Sequence, residues 1–199
     1  PIPRTMSLIL YSDIDISTIV EMPQGRRKII TRIGQNIVQI KSLLDQGQQG
    51  YIVFPLIEES KFFGDVQSIQ KSIGAIEKEF SDYRISVVHG QLKAEDRENV
   101  IHAFKNKVSD LLIATTVIEV GIDVPNASFM VIYNAERFGL SQLHQLRGRV
   151  GRGSNQSYCY LVANGKPESN ERLKALVESN DGFYISRKDL EIRGPGEVL

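Results

Sequence analysis

Apolar positions along this chain follow two alternating rhythms. Short apolar runs recur between longer stretches in which the apolar residues fall three and four apart. The runs predict strands over 28–33, 51–56, 85–88, 111–114, 129–133 and 157–163. Between them, helical spacing predicts a helix over 35–44 that buries Ile37, Ile40 and Leu44. A clearer stripe follows, in which Val66, Ile69, Ile73, Ile76 and Phe80 share one helix face. Val100, Ile101 and Phe104 mark a helix starting near Glu95, with His102 in it expected to be partly buried, and another helix is expected from Leu140 to about Arg149. From Glu168 onward the period is helical, with Leu173, Leu176 and Val177 expected to pack. Asn180-Asp181-Gly182 reads as the end of that helix in the manner of a glycine C-cap, and a second short helix is expected over 186–192.

Strand and helix alternating in this way are what a parallel sheet requires. The predicted fold is therefore α/β, a mostly parallel sheet flanked by helices, with a helical appendage at the C-terminal end. Residues 1–25 carry Pro1, Pro3 and Pro23 with little periodicity and read as an extended entry segment. The main domain is placed at 26–165 and the appendage at 166–199. No internal repeat or low-complexity linker interrupts them.

Composition narrows the classes. A chain of 199 residues is enough to bury one sizeable core. The 24 Lys and Arg balance 24 Asp and Glu, so no overall basic field advertises a nucleic-acid partner, and any such binding must come from local clusters. Cys159 is the sole cysteine, which excludes an intrachain disulfide and fits a reducing compartment. Without a long apolar run or a signal-peptide pattern, the expected location is the cytoplasm, with no membrane partner.

One local cluster stands out. In Gln142-Leu-His-Gln-Leu-Arg-Gly-Arg-Val-Gly-Arg-Gly153, three arginines (Arg147, Arg149, Arg152) alternate with Gly148, Gly151 and Gly153. Guanidinium presents a rigid fork of donors and stays charged, which suits phosphate oxygens. Glycine removes bulk and lets a large polyanion come close. The segment reads as a guanidinium comb at a helix end, with a solvated basic face as the plainer alternative. Upstream, the apolar run Leu111–Ala114 has the character of a strand buried on both faces. Thr115 and Thr116 stand at its end, where ligands of open parallel sheets collect. Gly121 then permits a tight approach, and Asp123 offers an acceptor for sugar hydroxyls. A strand followed by a turn closed at Pro125 is the bland reading of the same residues.

In order and separation, Thr115–Pro125 and Gln145–Arg152 resemble motifs V and VI of superfamily 2 helicases, and more narrowly those of the RecG family of branch-migration helicases. Pro1-Ile-Pro-Arg-Thr5 resembles the tail of that family's motif III, and Phe54-Pro-Leu-Ile-Glu-Glu-Ser60 the segment after its motif IV strand. Ser179-Asn-Asp-Gly-Phe183 and Lys188-Asp-Leu-Glu-Ile-Arg-Gly-Pro-Gly196 resemble the start of a translocation motif shared with the transcription-repair coupling translocase. The resemblance runs nearly end to end, and it implies the second RecA-like domain of an ATP-dependent DNA helicase acting on branched or duplex DNA in recombination and repair. It implies ATP in a cleft shared with a preceding RecA-like domain, with Mg2+ held mainly by that domain. Arg149 and Arg152 would act at the γ-phosphate. Gly121, Asp123 and Gln145 would meet the nucleotide, Thr115, His89 and Gly90 the DNA backbone, and Arg187 and Arg193 would belong to the coupling segment.

The chain has no Gly-x-x-x-x-Gly-Lys-[Ser/Thr] phosphate loop and no acidic pair at the end of an apolar strand. It is thus expected to supply one wall of a nucleotide site, and as an isolated piece to be inactive. Pro1-Ile-Pro-Arg-Thr5 reads as the interior of a longer chain, and Arg193-Gly-Pro-Gly196 stops within a motif. Asp13-Ile-Asp15-Ile-Ser17 opens like a calcium loop, but Thr18 and Gln24 replace the glycine and glutamate it needs. His89, His102, His144 and Cys159 have no metal-ligand spacing, so no metal site is expected. Gly139-Leu-Ser141 lacks the flanks of a nucleophile elbow. Two alternatives remain, the transcription-repair coupling translocase and a non-catalytic nucleic-acid-binding module. Phe54–Ser60 and Val120–Pro125 favour the RecG family over the first.

Overall fold

The computed structural model of the chain describes residues 27–55, 63–115, 123–167 and 170–193, with side chains throughout except at 63–68. The elements in order are β1 (Ile30–Ile33), α1 (Ile37–Asp45), β2 (Gln49–Val53), α2 (Phe63–Glu79), β3 (Ile85–Val88), α3 (Ala94–Lys105), β4 (Leu111–Ala114), β5 (Ala127–Tyr133), a 3-10 turn (Ala135–Arg137), α4 (Leu140–Arg147), β6 (Tyr158–Val162), α5 (Glu171–Glu178) and α6 (Gly182–Arg193). The strands form one sheet in the order β1-β6-β5-β2-β4-β3, and every pairing is parallel. Hydropathy agrees with which strands lie inside and which at the edges. The wholly apolar Leu111–Ala114 run is buried at every position, as are the residues of β2, and both lie inside the sheet. The mixed β1 and β3 take its two edges.

Helices cover both faces. Ile40, Leu43 and Leu44 of α1 and Ile76 of α2, with Phe80 just beyond it, pack on one side against Ile52, Ile113, Phe129 and Val131. On the other side Phe104 of α3, Leu140, Leu143 and Leu146 of α4, Leu173 and Leu176 of α5 and Ile185 of α6 meet Tyr51, Val53, Leu112 and Met130. The appendage helices are therefore part of the same core as α4. Burial of these side chains is the main source of stability, at roughly 25 cal/mol per Å² of apolar area removed from water.

Four local expectations are corrected. Val177 faces outward, 40% exposed, because α5 turns Leu173, Ala175 and Leu176 to the core instead. Asn180-Asp181-Gly182 does not cap α5, which ends at Glu178. Asp181 instead accepts the Phe183 N–H at 3.0 Å and starts α6 at Gly182, well before Ser186. Asn180 clamps the strand-entry backbone, accepting from the Ile29 N–H at 3.2 Å and donating to the Ile29 carbonyl at 3.0 Å. His102 is exposed rather than partly buried.

Candidate functional site

Because all the strands run one way, the sheet has an amino rim and a carboxyl rim, and the candidate residues divide between them. Thr115 follows β4 and His89 and Gly90 follow β3. The Thr115 N–H donates to the Val88 carbonyl at 3.0 Å, which sets Thr115 beside the His89-Gly90 turn at the carboxyl rim. Asp123 precedes β5, and Arg149 and Arg152 precede β6, so these three belong to the amino rim. The sheet itself separates the two groups.

The amino rim is built by contacts that polarity patterns alone do not reveal. Gln49 opens β2 and is 1% exposed. Its side-chain amide donates to the carbonyls of Phe104 and Ser109, each at 2.7 Å, so no donor is left buried and unpaired. Asn126 in turn donates to the Gly47 carbonyl at 3.0 Å and to Gln49 Oε1 at 3.1 Å, which fixes the loop carrying Asp123 against the start of β2. The loop carrying Arg152 is pressed onto it: a Cβ on Gly153 would lie 2.4 Å from the Pro125 carbonyl oxygen. Gly151 adopts φ +78°, and a Cβ there would meet Ile29 at 2.9 Å. Two of the three glycines in the arginine stretch thus serve the approach of chain to chain, where the sequence reading had them admit a polyanion.

The approach brings Arg152 Nη1 to 3.4 Å from Asp123 Oδ1, with the arginine side chain 30% exposed and the aspartate 63%. Arg152 Nε also donates to the Gly148 carbonyl at 3.3 Å. A pocket of about 420 Å³ opens alongside, lined by Asp123, Val124, Asn126, Gly153, Lys105 and Lys107. Arg149 is half-buried and Gln145 exposed on α4. Gly121 lies outside the described residues. Among the described residues no cluster of His, Cys, Asp and Glu is arranged to hold a metal ion.

Arg147 departs from the comb. It is 1% exposed, and its Nη1 donates to Thr31 Oγ1 at 3.3 Å and to the Leu176 carbonyl at 2.5 Å. Its Nη2 donates to His144 Nδ1 at 3.0 Å. The rigid guanidinium fork here ties α4 to β1 and to the C-terminal end of α5. Burial, with the Arg147 charge added, holds the His144 imidazole down at about 4, which keeps Nδ1 free to accept. Nothing in the sequence separated Arg147 from its neighbours except its place, one turn after Leu143 on the buried side of α4.

Arg187 and Arg193, the residues expected in the coupling segment, lie on α6. Arg187 is exposed. Arg193 Nε donates to Asp189 Oδ1 at 3.2 Å, and Asp189 Oδ2 accepts the Ser141 hydroxyl at 3.0 Å, linking α6 to the start of α4. Among the described residues no helix is long and apolar enough to cross a membrane.

Comparison with known proteins follows the same lines. Residues 35–154 match the family "Helicase conserved C-terminal domain". The whole chain is 48% identical to the ATP-dependent DNA helicase RecG of Synechocystis, covering 25% of that protein. It is 44% identical to RecG of Staphylococcus aureus strain Mu50, covering 30%. The chain therefore spans between a quarter and a third of the curated relatives it matches. Among solved structures, RecG bound to a three-way DNA junction superposes over the full chain with a TM-score of 0.76 at 42% identity, and the match takes in 27% of that chain. Domain 2 of a DEAD-box helicase bound to an RNA duplex shares the fold alone, with a TM-score of 0.52 at 17% identity over 76% of this chain and 60% of that one.

Proposed function

Because the chain belongs to the helicase conserved C-terminal domain family, we propose that it is the second RecA-like motor domain of a RecG-type, ATP-dependent DNA helicase working on branched DNA in the cytoplasm. The observation that carries this reading is the meeting of Arg152 and Asp123 at the amino rim, one cation and one acceptor on adjoining loops beside an open pocket. Identity across the full chain to RecG helicases favours this branch over the transcription-repair coupling translocase.

ATP would enter between this rim and a preceding RecA-like domain. That domain would hold Mg2+, which neutralises charge on the phosphates. Arg152, with Arg149, would turn to the γ-phosphate and stabilise the charge that spreads over its oxygens in the transition state. Asp123, released from Arg152, would accept hydroxyl hydrogen bonds from the ribose, with Gly121 and Gln145 adjoining. At the opposite rim Thr115 and the His89-Gly90 turn would meet DNA phosphates, giving affinity without base reading. The sheet, a single packed body, would carry closure at one rim to displacement at the other.

The test compares the isolated chain with the full-length protein that contains it. The full-length protein should hydrolyse ATP in a DNA-stimulated manner and unwind a three-way junction, and the isolated chain should do neither. DNA-stimulated hydrolysis by the isolated chain, or none by the full-length protein on branched DNA, would remove the proposal.

A further inference from the structure

Tyr51 sits in the middle of β2 with no exposure, and its hydroxyl has no hydrogen-bond partner among the described residues. Its ring packs tilted against Phe104, centroid to centroid 5.2 Å. Phenylalanine would fill that volume without bringing a polar atom into the core, so the hydroxyl costs stability in this state with no visible return. An unpaired buried group of this kind points to a partner that arrives in another state. The surroundings say which. The apolar cluster holding the Tyr51 ring also contains Val124 and Val150. Val124 adjoins Asp123, and Val150 adjoins Arg149 in the loop that leads to Arg152. The apolar cluster that holds the phenol thus extends to both loops of the amino rim.

Resting on the reading of Arg149 and Arg152 as the phosphate-facing arginines, we propose that Tyr51 is a positioning residue for Arg152: when Arg152 leaves Asp123 for the nucleotide, the Tyr51 hydroxyl accepts a hydrogen bond from it and fixes its orientation. A guanidinium carries five N–H donors, and a phosphate engages two of them in a fork, so the remainder need acceptors once closure has excluded water. In the present state Arg152 Nη1 pairs with Asp123 and Nε donates to the Gly148 carbonyl. Losing Asp123 to the ribose frees a donor of Arg152, whose charge already acts on the unused Tyr51 oxygen. Burial pushes the phenol's pKa upward, the charges of Arg152, Arg149 and Asp123 being the ones that act on it. Tyr51 therefore remains a neutral hydroxyl that can accept.

Tyr51→Phe in the full-length protein keeps the ring and removes only the oxygen. The expected result is a fall in kcat for DNA-stimulated ATP hydrolysis of about ten- to a hundredfold, the size of one hydrogen bond to a charged group. KM for ATP should stay within about twofold of wild type, since the contact forms on the way to the transition state. The thermal midpoint should hold or rise, which separates this role from packing. In an Arg152→Ala background the same change should cost nothing more. A wild-type kcat in Tyr51→Phe, a loss confined to KM, or a further loss on top of Arg152→Ala overturns the proposal. Normal hydrolysis by Arg152→Ala alone would sink the arginine reading instead, and the two failures are distinguishable.

Discussion

Arg147 and Arg152 come from one arginine-rich stretch, yet the junction around the first and the rim around the second follow opposite rules. At the junction the guanidinium is 1% exposed and spends its donors on a hydroxyl, a carbonyl and an imidazole nitrogen, with no carboxylate among them. At the rim the partner is a carboxylate 63% exposed, reached at 3.4 Å. An exposed pair of that kind is worth only about 0–1 kcal/mol, so a phosphate can displace it at little cost. Withdrawing Arg147 would instead strand a buried carbonyl and hydroxyl. Rigidity suits a strut between helices, whereas a group that must turn to a ligand needs a weak resting contact.

The largest expected effects test this contrast directly. In the full-length protein Arg152→Ala should lower ATP hydrolysis by roughly 10³ to 10⁵ while ATP binding persists. Its unfolding midpoint should shift by no more than about 0.5 kcal/mol equivalent. Arg147→Ala should do the reverse at the level of the fold, lowering stability by about 2–4 kcal/mol in denaturant titration through the cavity and the unpaired acceptors. Equal destabilisation by both substitutions would collapse the distinction.

A second test uses acid. Burial holds His144 at about 4 against an ordinary 6.5, so in the folded state it stays neutral where the unfolded chain takes up a proton. Its neutral form is therefore no burden above pH 6.5. As pH falls from 6.5 toward 4 the unfolded state gains protonation that the fold refuses, and stability declines by up to about 3 kcal/mol on this group's account. Below about pH 4 both states protonate and the decline stops. His144→Gln, which keeps an acceptor for Arg147, should flatten the loss across that window. Parallel pH profiles for the two proteins would show that His144 does not govern the acid sensitivity of the junction.

How far the sequence reached follows from the kind of signal each feature leaves. Buried strands announce themselves: Leu111–Ala114 was legible because two covered faces demand an unbroken apolar run. Helix faces with a repeating stripe, such as Ile73, Ile76 and Phe80, were equally plain. Caps were not, because Asn180-Asp181-Gly182 carries the same letters whether it closes one helix or opens the next, and the choice depended on Ile29, distant in sequence. The arginines were legible as a group and opaque as individuals, since only packing on α5 turned Arg147 inward. Gln49 and Asn126 left no signal at all, being polar residues whose partners are backbone carbonyls distant in sequence and, between the two of them, each other. Resemblance to a helicase motif assigned Asp123 and the arginines to different parts of one nucleotide, and the contact between them, with the two loops pressed together at Gly153, is what the fold adds.

A comparably small change in stability is expected at Arg193, and it bears on a third region, the surface of α6. Its side chain is 64% exposed, and its partner Asp189 lies one turn back on the same helix. Removing such a pair costs about 0.5 kcal/mol or less. Asp189 is only 13% exposed, and its other oxygen still accepts the Ser141 hydroxyl, so the tie between α6 and α4 survives the substitution. That makes Arg193→Ala a clean probe of what the charge does beyond the fold. If the helix transmits motion from the motor to DNA-handling parts, hydrolysis stimulated by DNA should stay near wild type while unwinding of a branched junction falls sharply. A parallel loss of both activities would assign Arg193 to DNA binding. Unwinding at the wild-type rate would leave it as a solvated charge whose pairing with Asp189 serves the helix alone, and the contrast between strut and finger would then end at α4.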